Sequence, residues 1–190
     1  SNSILVVGGG FSGITAALEA AEVGYEVFIV EKSPFLGGRV MQLNKYFPKL
    51  CPPSCGLEIQ YQRIKKNPNV KFFTQAEVAS VSGSAGNFTV TVKTQPRHVA
   101  PNSKDLGDLA GELENDVTDG FNLGLVKRKA LYQDVPFAFP NRYVLEPENC
   151  NEEDKIKLGS SLFVDFNEEG KEFELNVGAI IIATGWQPYD

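Results

Sequence analysis

Residues 3–13 read "SILVVGGGFSG", and the reading of this stretch decides the fold. A short β-branched run, Ser3 to Val7, enters three consecutive glycines. The following "SGITAALEAAEVG" then places apolar side chains at Ile14, Ala17, Leu18 and Ala21. That order predicts a buried strand, a tight turn and a helix with one apolar face. The predicted helix stops at Gly24, the residue type suited to the left-handed position after a helix end. "YEVFIVEK", residues 25–32, is a second buried strand. Strand, helix and strand in this order form a βαβ unit, which requires a parallel sheet.

The glycines fall at Gly8-x-Gly10-x-x-Gly13, and Glu31 closes the second strand 18 residues after Gly13. Each part has a physical task in dinucleotide recognition. Gly8 permits the tight turn, Gly10 lets the backbone approach a pyrophosphate, and Gly13 allows close packing of helix on sheet. The phosphates then face the positive end of the helix. Glu31 accepts hydrogen bonds from an adenosine ribose, and its charge would repel a 2′-phosphate, so FAD or NAD is preferred to NADP.

Further along, "NVKFFTQ" predicts a third strand. "EVASVSG", "NFTVTVK" and "EFELNV" alternate apolar and polar positions, as in an antiparallel meander. "GAIIIATG" is a continuous apolar run, expected for a parallel strand covered on both faces. The class is therefore α/β: a Rossmann-like domain combining a parallel sheet with a β-meander. Between the meander strands, residues 95–158 lose periodicity and fill with Pro, Asn, Asp and Gly. They read as a loop-rich insertion with one or two short helices, one of them around "KDLGDLAGELE". The domain thus comprises residues 3–94 and 159–190.

The formal charge of −6 and pI near 4.9 argue against a nucleic-acid-binding surface. The apolar runs are strand-length, far short of the roughly 20 residues of a membrane helix. Three cysteines and no secretory leader point to a reducing cytoplasm. There is no Ser-His-Asp set and no zinc-spaced Cys/His group, so no metal site is expected.

"GGGFSG", the strand-end Glu31, "GGR" at residues 37–39 and the late Ala183-Thr184-Gly185 together resemble the flavoproteins with two dinucleotide-binding domains. That resemblance implies FAD. It also implies a cofactor-binding set of Gly8, Gly10, Ser12, Gly13, Glu31, Lys32, Gly38, Arg39, Val78, Thr184 and Gly185. In it, Gly38 and Arg39 lie along the pyrophosphate and ribityl chain, the Val78 backbone lies near the adenine, and Thr184-Gly185 lies at the far end. Longer segments, "GGRVMQLNKYFP", "FNLGLVKRKALYQDVPFAFPNRYVLEPENC" and "GAIIIATGWQPYD" among them, resemble the A subunit of heterodisulfide reductases over nearly the whole chain. Within that family the likeness runs to the quinone-interacting membrane-bound oxidoreductase complexes of sulfate-reducing and sulfur-oxidising microbes.

The resemblance implies the FAD-binding portion of an electron-transferring subunit. Its partners would be other subunits of a membrane-associated redox complex, at the cytoplasmic face, with no direct membrane span. In related subunits the insertion holds cysteine-rich cluster motifs. Here residues 95–158 contain only Cys150, so a degenerate ferredoxin-type insert without cluster ligands is expected. The chain stops just past the Ala-Thr-Gly strand, which implies an FAD domain incomplete at its C-terminus. Two alternatives stand beside this reading: a fragment of a pyridine nucleotide-disulfide reductase, and a catalytically silent assembly scaffold.

Cys51 and Cys55, in "KLCPPSCGLE", are the candidate catalytic residues. The C-x3-C spacing and two intervening prolines leave three readings open: free thiols in a packed loop, cluster ligands completed elsewhere, or a redox pair. Pro53 suits the first turn of a helix running through "SCGLEIQYQRIKK". His98 reads as a solvated loop histidine. Lys127–Lys129 read as a solvated charge run or a contact for an acidic partner. Trp186 and Tyr189 read as a sheet-edge cap or a stacking pair near the cofactor.

Overall fold

The computed structural model describes residues 1–101, 103 and 106–186. The predicted βαβ unit is present as β1 (Ser3–Val7), α1 (Phe11–Glu22) and β2 (Glu26–Val30). β1 and β2 run parallel, with Ser3 opposite Glu26 and Val7 opposite Val30. α1 closes at Gly24, whose φ of +101° is the left-handed position its residue type allows. Ile14, Ala17, Leu18 and Ala21 are the buried face of α1, as their spacing requires. Complete burial of Ile14 and Leu18 stabilises the unit by about 1.5–3 kcal/mol each.

A 3-10 turn, Gly38–Gln42, and a loop lead to α2 (Pro53–Lys66), with Pro53 in its first turn as expected. Arg63 of α2 reaches Glu22 at 2.6 Å and Glu19 at 3.2 Å on α1. β3 (Val70–Phe73) then adds to β2 in parallel. β4 (Ala76–Ser84) and β5 (Asn87–Thr94) form an antiparallel pair with a bulge between Val78 and Ser80.

The chain divides into two compact units, one made of Ser1–Gln95 with Gly170–Asp190 and the other of Pro96–Glu169. The second contains α3 (Gly107–Gly111), β6 (Asp116–Thr118), β7 (Lys127–Lys129), β8 (Leu131–Tyr132), β9 (Val144–Leu145) and α4 (Glu152–Gly159).

Among the described residues the insertion is largely loop with two short helices, α3 and α4, and its composition did not announce the rest of its order. It has two hairpins and its own core of Val99, Leu106, Leu113, Ala130, Leu131, Leu145, Cys150 and Leu158. Apolar residues scattered without period still converge there, because buried carboxylates organise the turns between them. Asp154, fully buried, caps α4 with Asn151 and also accepts the Glu114 N–H at 2.7 Å.

The unit also extends to Glu169 rather than ending at 158. Glu168 accepts the backbone N–H groups of Arg97 (3.1 Å) and His98 (2.5 Å), and Ala100 N–H donates to Phe163 O (2.8 Å). These bonds tie residues 159–169 to the start of the insertion. His98 is accordingly not a plain solvated histidine, since its Nδ1 lies 2.9 Å from Asp165 O. The charge run is largely committed as well: Arg128 pairs with Glu146 at 2.6 Å and stacks on Tyr132, and Lys129 pairs with Asp116 at 2.8 Å. Charge is segregated between the units. Residues 96–169 carry 8 Lys/Arg and 15 Asp/Glu, a net −7 of the chain's −6, which leaves +1 for the rest. Lys104 and Asp105, with which the sequence-predicted helix begins, lie outside the described residues, as does Tyr189.

Back in the first unit, β10 (Lys171–Val177) pairs with β5 and completes the predicted meander in the order β10-β5-β4. β11 (Ala179–Ile182) joins β1 in parallel, giving the four-stranded order β11-β1-β2-β3. The two sheets share a core of Leu5, Val30, Ala76, Val90, Val92 and Val177. β11 departs from expectation. Its apolar run is not covered on both faces: Ala179 and Ile182 are exposed, Ile182 to 69%, and the strand stands at the edge of the sheet. Among the described residues no helix is long and apolar enough to cross a membrane.

Candidate functional site

The C-terminal ends of β1, β2 and β11 meet at the glycine turn. Gly8 N–H donates to Val30 O at 2.8 Å, and Ala183 N–H donates to Val7 O at 2.8 Å. Gly8 has a φ of +106°, and a Cβ there would overlap Ala183 O. A Cβ on Gly13 would overlap Gly8 O, so α1 seats against the turn only because both residues lack side chains. Gly10 differs. A Cβ there would meet only Gly38 Cα, at an ordinary 4.0 Å, so nothing in the chain itself demands glycine at this position.

Glu31, 6% exposed, turns back onto the same turn. Its Oε2 accepts Gly9 N–H at 2.6 Å and its Oε1 accepts Ser33 N–H at 2.7 Å. Lys32 beside it is exposed, as is Ser12 at the start of α1. The second glycine segment is fastened to the first: Gly37 N–H donates to Gly9 O at 2.7 Å, and Gly10 and Gly37 form a parallel bridge. From the other side, Tyr61 of α2 donates its hydroxyl to Leu36 O at 2.6 Å and lies against Met41. Sequence reasoning missed this anchor. Its only signal was a tyrosine on the buried face of α2, with Leu57 and Ile64.

Thr184 follows β11 beside Gly8, and Gly185 turns with a φ of +73°. Beyond it, Trp186 meets Arg39, whose guanidinium stands 4.7 Å from the ring centroid. The tryptophan is thus a cation–π partner of the glycine segment. Gly8, Gly10, Gly13, Glu31, Gly38, Arg39 and Thr184 are therefore brought together. Val78 stands in the meander, half-buried against the core shared by the two sheets, two residues past Ala76, whose N–H donates to Glu31 O at 2.9 Å.

Cys51 and Cys55 flank the start of α2, Cys51 half-buried and Cys55 exposed, and both are free thiols. Tyr46 N–H donates to Cys51 O at 3.1 Å and Leu50 N–H to Tyr46 O at 2.9 Å, so Cys51 closes a small loop. Cys150 is buried in the insertion, where desolvation pushes its thiol up to about 11.

A strand–glycine turn–helix unit with a buried strand-end glutamate, and a second glycine turn bonded onto the first, define a dinucleotide-binding oxidoreductase domain. The chain belongs to the FAD dependent oxidoreductase family, which matches residues 3–99. Its cofactor is FAD.

Curated relatives match over nearly the full chain. They include the iron-sulfur A subunit of a CoB–CoM heterodisulfide reductase from Methanopyrus kandleri (39% identity, 98% of this chain, 29% of the relative). The corresponding protein of Methanocaldococcus jannaschii is 38% identical over 99% of this chain and 29% of its own. The A subunit of a ferredoxin/F420H2-dependent CoB–CoM heterodisulfide reductase from Methanosarcina acetivorans is 34% identical over 100% of this chain and 24% of its own. The chain thus spans about a quarter to a third of the length of these relatives.

The residues present fit FAD. Space stands open over Gly10, where a pyrophosphate would approach. α1 begins with no side-chain cap and no acidic residue in its first turn, which leaves its N–H groups and dipole facing that space. Each Glu31 oxygen spends one lone pair on a backbone N–H, and a carboxylate has about four acceptor sites, so ribose hydroxyls can still be accepted.

Proposed function

We propose that the chain is the flavin-binding portion of an electron-transferring subunit in a heterodisulfide-reductase-like complex of sulfur and energy metabolism, of the quinone-interacting type. The observation that carries this reading is the double glycine cradle with Glu31 buried beneath it. It is supported by likeness to the A subunits of named heterodisulfide reductases over 98–100% of the chain.

In this reading the α1 N-terminus with Gly10, Ser12 and Gly13 receives the pyrophosphate, and Glu31 with Lys32 receives the adenosine ribose. The Val78 backbone borders the adenine, while Gly38, Arg39 and Thr184-Gly185 line the ribityl side. The Arg39–Trp186 stack holds the guanidinium in position. FAD, when bound, supplies the redox chemistry, and the chain supplies binding, orientation and electrostatics. Partners are the other subunits of the complex, which bring this one to the cytoplasmic face of a membrane. The acidic insertion, whose one cysteine is buried in its core, serves in subunit contact and holds no cluster.

Anaerobic expression of the full-length protein with its partner subunits, followed by a visible spectrum and an iron count, tests this. Stoichiometric flavin, with no iron lost on Cys150→Ser, is the expected result. A full-length protein without flavin would favour an assembly scaffold instead.

A further inference from the structure

Between Glu31 and Glu58 the sequence contains no acidic residue, although 24 of the chain's 190 residues are Asp or Glu. Four cations fall in this interval, Lys32, Arg39, Lys45 and Lys49. The first two adjoin the cofactor cradle, which accounts for them. Lys45 and Lys49 do not; Lys49 lies on the loop that the Tyr46–Cys51 bridge closes, and Lys45 directly precedes it. Among the described residues neither has a carboxylate within ion-pair distance. The same segment exposes apolar side chains: Phe47 is 87% exposed and Leu50 62% within the loop, and Leu43 49% ahead of it.

We propose that this loop is a peripheral membrane contact, which dips Phe47 and Leu50 into the interfacial region of an anionic bilayer while Lys45 and Lys49 meet the lipid phosphates. Charge complementarity selects an anionic surface, and composition selects lipid over an acidic protein. The cations are lysines, which protein interfaces deplete, whereas lysine beside Phe and Leu is the composition of interfacial lipid-binding segments. The Tyr46 and Leu50 backbone bonds fix the base of the loop.

The contact does not rest on the flavin reading: vesicle binding reports the loop and a visible spectrum reports the cradle. The test is co-sedimentation of the purified chain with phosphatidylglycerol vesicles and with pure phosphatidylcholine vesicles. Binding to the first, weakened by added salt, is expected. Lys45→Gln with Lys49→Gln should weaken it about twentyfold, and Phe47→Ser about tenfold or more. Phe47→Trp should show a blue-shifted emission on vesicles that the parent, with Trp186 alone, lacks. All these side chains are exposed, so the variants fold. Absence of binding by the parent, equal binding to both vesicle types, or binding unchanged in the variants would each overturn the proposal. So would a chain that ignores vesicles yet loses association with an acidic protein partner on Lys45→Gln.

Discussion

Glu31 accepts the Gly9 N–H at 2.6 Å, so the carboxylate at the end of one strand holds the glycine turn at the end of its neighbour. The group expected to recognise ribose is thus also the scaffold of the phosphate turn. Glu31→Ala would leave the Gly9 and Ser33 N–H groups without their acceptor, at a cost of about 1–3 kcal/mol each where water cannot reach them. Urea unfolding of the chain should show a loss of that size. Glu31→Gln, which keeps one accepting oxygen, should lose about half as much while FAD retention falls in both. Equal stability of all three proteins would refute the scaffold role.

Gly10 and Gly13 separate binding from folding. Gly13→Ala drives a Cβ into Gly8 O and should destabilise the chain by about 1–3 kcal/mol. Gly10→Ala meets only an ordinary contact at 4.0 Å and should change stability by no more than about 1 kcal/mol, the helix-capping difference. It should nonetheless weaken FAD binding by about tenfold or more, because the methyl occupies the approach of the pyrophosphate. Thermal melts beside flavin titrations measure both.

Asp134 in the insertion is raised to about 6, first by burial, then by Asp119 and Glu146, against the pull of Arg128. Its proton is held more tightly folded than unfolded, so the stability it contributes is present at acid pH and is lost as pH rises from about 4 to about 6. Asp134→Asn, neutral throughout, should be more stable than the parent at pH 7.5 by about 1 kcal/mol after discounting for solvent screening. The decline between about pH 4 and pH 6 should shrink in the variant. Parallel unfolding curves at all pH values would contradict this.

The three thiols should label in a fixed order under native conditions. Cys55 is exposed, Cys51 half-buried, and Cys150 lies in the insertion core with its thiol pushed up by desolvation. Iodoacetamide followed by peptide mass mapping should modify Cys55 first and Cys51 next. Cys150 should trail by about a hundredfold, because the thiolate is the reacting species. Early labelling of Cys150 would mean that the insertion opens readily.

The cradle was legible because its rules are local. Three glycines at fixed spacing, a strand on one side, a helix on the other and an acid closing the next strand each act within a few residues. The meander was legible by its alternation, and α2 by Pro53 at its first turn. What escaped the sequence depended on distant partners. Tyr61 is an unremarkable helix residue until it meets Leu36 O, and Trp186 a loose aromatic until Arg39 stacks on it. The insertion read as loop because its strands are two or three residues long, too short to show a period. The Asn151–Asp154 capping box was written plainly in "NEED" and would have placed α4.

Thr94 of β5 stands opposite Lys171 of β10, and the Thr94 hydroxyl accepts the Lys171 N–H at 3.2 Å. The chain therefore departs from the sheet unit and re-enters it across one rung of an antiparallel ladder, a gap that a hairpin turn of a few residues would span. In its place stand residues 96–169 with a core of their own. The ladder registers only the two ends of what is plugged into it. An exchange of that cartridge for another, or for a bare turn, would keep the register of the ladder so long as the Thr94–Lys171 rung is preserved.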